Sequence, residues 1–81
     1  MFYVYVLKCK DGSLYTGYTN DVKKRIKQHA DGKAAKYTRG RRPIELVTTW
    51  PYATKSQALK AEIAFKHMSR KKKLQKIARC L

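Results

Sequence analysis

Five carboxylates stand in this sequence, and four of them have an ordinary structural setting. Asp11 lies in a turn signal, Asp21 at a helix start where its charge suits the dipole, Asp31 in a helix-ending Asp-Gly, and Glu45 on a strand. Glu62 differs, because it falls mid-helix beside an apolar stripe. It could simply pair with Lys66, one helical turn on. The functional alternative is a carboxylate held among cations and fit to ligate one hard divalent ion such as Mg²⁺. Arg25 and His29 are also four residues apart and pose the same choice. They are either solvated basic residues or a guanidinium that takes a phosphate by two hydrogen bonds, with an imidazole one turn away for proton transfer. Tyr3, Tyr5, Tyr15 and Tyr18 cluster on a predicted hairpin. Strands favour tyrosine, and cross-strand aromatic pairs are stabilising. A phenol among cations also has its anionic form favoured, so it can act as a general base.

Charge narrows the partner. Twenty Lys and Arg against five Asp and Glu leave +15 on 81 residues. Such an excess opposes compaction, and a polyanion relieves it. Nucleic acid fits best, since each phosphate contact releases counterions. An anionic membrane surface and RNA of the ribosomal kind rank lower, and a merely solvated basic surface is the bland alternative. No apolar run reaches the roughly 18 residues of a membrane span, and the start carries no basic leader pattern. Cys9 and Cys80 have no zinc-like spacing and read as free thiols in a reducing cytoplasm.

The elements that must position these residues read as one domain over 1–81. Residues 2–9 are aromatic and β-branched and predict a strand, with apolar residues on both faces, hence a central one. Lys10-Asp11-Gly12-Ser13 is a turn signal, and 14–18 return as a second strand. Thr19, Asn20 and Asp21 supply N-cap candidates for a helix with Val22, Ile26 and Ala30 in one stripe. Residues 32–43 read as a basic loop, and 44–50 as a third strand that Pro51 stops. Thr54 and Gln57 form a capping box for a helix with Leu59, Ile63 and Lys66 on one side and Ala58, Glu62 and Phe65 beside them. Ser69 caps a last helix with Leu74, Ile77, Ala78 and Leu81 in a stripe. The expectation is an α/β (α+β) domain of order β-β-α-β-α-α, a three-stranded, mainly antiparallel sheet flanked by three helices.

In this order and spacing the residues resemble a known family. Tyr3-Val4-Tyr5, a hairpin turn and Tyr15-Thr16-Gly17 resemble the paired motif of the GIY-YIG nucleases, with Tyr3 in place of the first glycine. Arg25 follows ten residues after Tyr15, and Glu62 falls on a later helix, as in that family. Lys36-Tyr37-Thr38 through Arg42-Pro43 is similar to a loop of its small bacterial and resolvase members. The resemblance spans Tyr3 to Leu74. It implies phosphodiester hydrolysis with one divalent ion, Mg²⁺ or Mn²⁺. Tyr15 or Tyr5 would help deprotonate the attacking water, and Arg25 would stabilise charge on the phosphate. Glu62 would hold the metal near the leaving oxygen, and His29 would orient a water or phosphate. Nucleic-acid contacts are expected from Lys24, Lys36, Tyr37, Thr38, Arg39, Arg42 and Lys66. Three departures stand beside these matches. Tyr18 replaces a lysine that some members carry, the only asparagine is Asn20, and no second domain is in sight to choose a DNA site. Two readings therefore stay open. One is a metal-dependent endonuclease acting on DNA, such as branched or damaged structures. The other is a nucleic-acid-binding module with weak or no cleavage, directed by a partner protein. Either is expected as a cytoplasmic or nucleoid-associated monomer, away from membranes.

Overall fold

The structure, a computed structural model, describes residues 1–79. Strand β1 (Phe2–Lys8) and strand β2 (Leu14–Thr19) form the hairpin, followed by helix α1 (Val22–Ala30) and a single helical turn, α2 (Lys36–Arg39). Strand β3 (Glu45–Tyr52) and helices α3 (Lys55–Lys66) and α4 (Arg70–Arg79) complete the chain. The expected order holds, with α2 added inside the segment that reads as loop. Four residues are too few to show a helical period, so nothing in the local pattern marks α2.

The sheet has the order β2-β1-β3, and both pairings are antiparallel. β1 is the central strand, and Val4, Tyr5, Val6 and Leu7 are all buried because both of its faces are covered. One face carries Val6 against Phe65 of α3 and Ile77 of α4, with Leu14, Val47, Trp50 and Met68 packed around them. The other face carries Tyr5, whose hydroxyl meets His29 of α1. The hairpin turn is closed by Asp11, which accepts from the Ser13 amide, and by Gly12 at φ +83°. Asp21 is the cap of α1, accepting from the Lys24 amide, and Thr54 caps α3 through the Gln57 amide. Ser69 likewise accepts from the Lys72 amide at the start of α4.

Four local expectations need correction. β3 runs through Pro51 to Tyr52 rather than stopping at Trp50. It is an edge strand, where a missing N–H costs no ladder bond. In α1 the buried residue is His29, whereas Ala30 is exposed and Val22 and Ile26 are half-buried. In α3 the face turned inward is Ala58, Glu62 and Phe65, while Leu59 and Ile63 are 38% and 49% exposed. In α4, among the described residues of the apolar stripe only Ile77 is buried, while Ala78 is exposed and Leu74 is 45% exposed. Cys9 is a buried free thiol, and Cys80 and Leu81 lie outside the described residues. No helix among the described residues is long and apolar enough to cross a membrane.

Candidate active site

The site is assembled where the hairpin meets α1. Tyr5 lies opposite Gly17 across the β1–β2 ladder. The missing side chain at Gly17 leaves room for the Tyr5 ring, since a Cβ there would lie 2.5 Å from its hydroxyl oxygen. The ring therefore lies over the backbone of β2 and is 1% exposed. Its hydroxyl is 2.8 Å from Nε2 of His29, and the other ring nitrogen, Nδ1, is 2.8 Å from Oγ1 of Thr38. His29 and Thr38 are both fully buried. Tyr15 closes the group, its ring centroid 5.1 Å from that of His29 and 6.4 Å from that of Tyr5.

Two charges from different elements act on the Tyr5 hydroxyl. The Arg25 guanidinium of α1 lies near enough to favour its anion, and the Glu62 carboxylate of α3 near enough to repel it. Burial is the largest influence, then repulsion from Tyr15, and together they push Tyr5 up from 10.0 to about 12. Tyr5 is therefore a neutral phenol at physiological pH. His29 moves the other way, since burial and then the Arg25 charge hold it below its usual 6.5. It is a neutral imidazole at pH 7. Glu62 is 8% exposed, and its Oε1 is 2.8 Å from the ammonium of Lys66. The bland expectation for Glu62, a pair with Lys66, is thus present, and its charge also reaches the Tyr5 hydroxyl.

A metal ion in this site would depend on Glu62. The described residues hold no cluster of three or more His, Cys, Asp or Glu side chains suited to a metal. A single carboxylate nevertheless fits an ion of the Mg²⁺ kind, which keeps several waters and takes further oxygens from substrate phosphate.

The other expected contact residues divide into two groups. Lys24 is exposed beside Arg25 on a small concavity lined also by Thr19, Asn20, Asp21 and Gln28. Lys36, Tyr37, Arg39, Arg42 and Lys66 are exposed as well. Arg42 is tied down, its guanidinium donating to the carbonyls of Arg39 and Ala30. Thr38 departs from the expectation of a surface contact, because its hydroxyl is turned inward to His29 and no part of it reaches solvent.

Two residues with a place here were not singled out by sequence. Lys55, at the start of α3, shares an open concavity of about 420 Å³ with Arg25, Phe2, Tyr18, Thr19 and Asn20. In so lysine-rich a chain nothing local distinguishes it. Arg41 lies 4.0 Å over the ring of Tyr37, which in turn stacks on Tyr15 at 5.9 Å. Its guanidinium is held by Asp11 at 3.0 Å and by the Tyr37 carbonyl at 2.8 Å. That Asp11 partner is 30 positions away, so only the fold reveals the pair.

Comparison with known proteins identifies the family. A sequence model of the GIY-YIG catalytic domain matches residues 1–75. The UPF0213 protein BH0048 of Halalkalibacterium halodurans is 59% identical over 76 residues, covering 94% of this chain and 81% of that protein. The UPF0213 protein YazA of Bacillus subtilis is 56% identical over 71 residues, 88% of this chain and 72% of that one. The solution NMR structure of the protein EF2693 from E. faecalis superposes with a TM-score of 0.65 at 44% identity, covering 95% of this chain and 82% of that chain.

Proposed function

We propose that this chain, which belongs to the GIY-YIG family, a family of nucleases, is a metal-dependent endonuclease that hydrolyses phosphodiester bonds in DNA. One observation carries the reading: the buried hydroxyl of Tyr5 lies 2.8 Å from Nε2 of His29, within electrostatic reach of both Arg25 and Glu62. Those groups come from three separate elements.

The roles follow from the local chemistry. Tyr5 is buried and kept protonated, so it orients its neighbours and does not remove a proton. Tyr15 is half-buried and can meet a water, which gives it the part of proton acceptor. Arg25 borders the open concavity, where its guanidinium would meet the charge that builds on the phosphate. Glu62 would hold one Mg²⁺ or Mn²⁺, and the ion when bound would polarise the phosphate and stabilise the leaving oxygen. Lys24, Lys36, Arg39, Arg42 and Lys55 would track the backbone phosphates around this point. The site works in the cytoplasm or at the nucleoid, with a partner protein supplying the choice of target.

Cleavage of branched, duplex and single-stranded DNA in Mg²⁺ and Mn²⁺ tests the reading. Wild type is expected to cut at least one of them, and Glu62→Ala to abolish cutting while binding persists. A Glu62→Ala variant that cuts as well as wild type would sink the assignment. A second reading is favoured by the ion pair between Lys66 and Glu62, which occupies the carboxylate a metal would need. On that reading the chain binds nucleic acid and releases no products even at stoichiometric protein.

A further inference from the structure

We propose that Thr38 is a positioning residue for the reaction proposed above: by deciding which nitrogen of His29 carries the proton, it aims the Tyr5 hydroxyl so that its oxygen turns lone pairs toward Arg25. The inference rests on the nuclease reading for its catalytic consequence and on hydrogen-bond bookkeeping for its geometry. The Thr38 hydroxyl has one hydrogen. We assign that hydrogen to the Ala35 carbonyl oxygen at 3.2 Å, which also accepts from the Arg39 amide at 3.1 Å. With the hydrogen there, the same oxygen accepts at His29 from Nδ1–H at 2.8 Å.

A neutral imidazole has one N–H, so Nε2 is left as a bare lone pair. Burial and the nearby Arg25 keep His29 in that neutral form. Nε2 then accepts the Tyr5 O–H at 2.8 Å. With its hydrogen committed, the Tyr5 oxygen presents only lone pairs to the nearby positive charge of Arg25. Every donor thus points one way along a chain from Arg25 through Tyr5, His29 and Thr38 to Ala35. The opposite tautomer reverses the chain. Nε2–H would face the Tyr5 oxygen, and the phenolic hydrogen would be turned toward the guanidinium, donor against donor. Arg25 would then face a phenolic hydrogen in place of lone pairs, beside the concavity where a phosphate is to bind. Thr38 is fully buried and cannot touch substrate, so any effect it has on turnover runs through this chain.

The test compares wild type with Thr38→Val, which keeps the shape and removes the hydroxyl, and Thr38→Ser, which keeps the hydroxyl. Nitrogen-15 spectra of the histidine ring at neutral pH read the tautomer directly, because protonated and bare ring nitrogens differ widely in shift. Wild type is expected to show a protonated Nδ1 and a bare Nε2. Thr38→Val should move the proton toward Nε2 and lower kcat at least about tenfold, the lower end of what losing a histidine-orienting partner costs in metal sites. KM for DNA should change little, and Thr38→Ser should restore both readouts. A bare Nδ1 in wild type overturns the proposal, as does a Val variant with the wild-type tautomer or the wild-type kcat. If the Val variant does not fold, the wild-type spectrum and the Ser variant carry the decision. A wild-type protein that cuts no substrate sinks the nuclease reading instead, and the ring spectrum still decides whether Thr38 sets the tautomer.

Discussion

A Cβ placed on Gly17 would sit 2.5 Å from the hydroxyl oxygen of Tyr5 and 2.8 Å from its Cζ. The Tyr5 ring is wholly enclosed and tied to His29, so it cannot swing aside cheaply. Gly17→Ala is expected to cost about 1–3 kcal/mol through overpacking, read by urea denaturation. A loss below about 0.5 kcal/mol would mean that the ring is not anchored as described. The motif in the sequence marks Gly17 and Tyr5 separately, but their contact is cross-strand, and only the β1–β2 register explains why one needs the other. His29 is a parallel case. Its type and its spacing from Arg25 were legible, whereas its burial was not, because the two partners that satisfy its ring lie 24 and 9 positions away. Its folded pKa lies below the unfolded value of 6.5. The linked stability is therefore complete above pH 6.5 and falls as the pH drops through the folded value, since the unfolded chain takes up the proton first. Urea midpoints followed from about pH 7.5 to about pH 5 should fall more steeply for wild type than for His29→Gln. Parallel curves would contradict the assignment.

Helix α3 shows what an apolar pattern can and cannot decide. Leu59 and Ile63 mark a hydrophobic side, yet α3 turns Ala58, Glu62 and Phe65 to the sheet. Ala58 allows close approach, Phe65 meets Trp50 with ring centroids 5.5 Å apart, and Glu62 is carried inward between them. Glu62 was legible as the exceptional acid, but its inward direction depends on which of two adjacent faces packs. Its partner Lys66 remains half-exposed, with 49% of its side chain accessible against 10% for Glu62. An i,i+4 pair with a wet lysine contributes roughly 0.3–0.5 kcal/mol, too little to hold the carboxylate against a divalent ion. Lys66→Met should therefore tighten Mn²⁺ binding about two- to fivefold, measured by water-proton relaxation, because it removes both a competitor and a like charge. Weaker binding in that variant would mean that Lys66 supports the metal site. Helix α4 allows a comparison within one element. Ile77 belongs to the core cluster, whereas Leu74 is 45% exposed. Ile77→Ala is expected to cost about 2–5 kcal/mol, and Leu74→Ala less than about 1, both from chemical denaturation. Equal losses would show that the helix is turned differently.

On the scale of the whole molecule, the order of elements and the excess of positive charge were legible from sequence. The meeting of Tyr5 of β1, Gly17 and Tyr15 of β2, His29 of α1 and Thr38 of α2 was not, because it is a property of the fold and not of any segment. The charge has a consequence that the site alone does not show. A net +15 is confined to a body with a radius of gyration of 12.0 Å. At about 10 mM salt the screening length is about 30 Å, so every cation in the molecule repels every other. At about 0.1 M it is about 10 Å, and only near neighbours still interact. Among the described residues just two ion pairs, Asp11–Arg41 and Lys66–Glu62, offset this repulsion. Raising NaCl over that range should therefore raise the thermal midpoint of the free protein. The same change should weaken its binding to DNA, with log K falling by about 0.9 per phosphate neutralised for each unit of log salt. The two responses have opposite signs because added salt screens self-repulsion in one case and competes with the phosphates in the other. Calorimetry and fluorescence anisotropy on the same salt series would measure both. Affinity that is indifferent to salt would exclude phosphate contact as the source of binding. A thermal midpoint that falls with salt would mean that local attractive pairs, and not the overall charge, dominate the electrostatics of this fold.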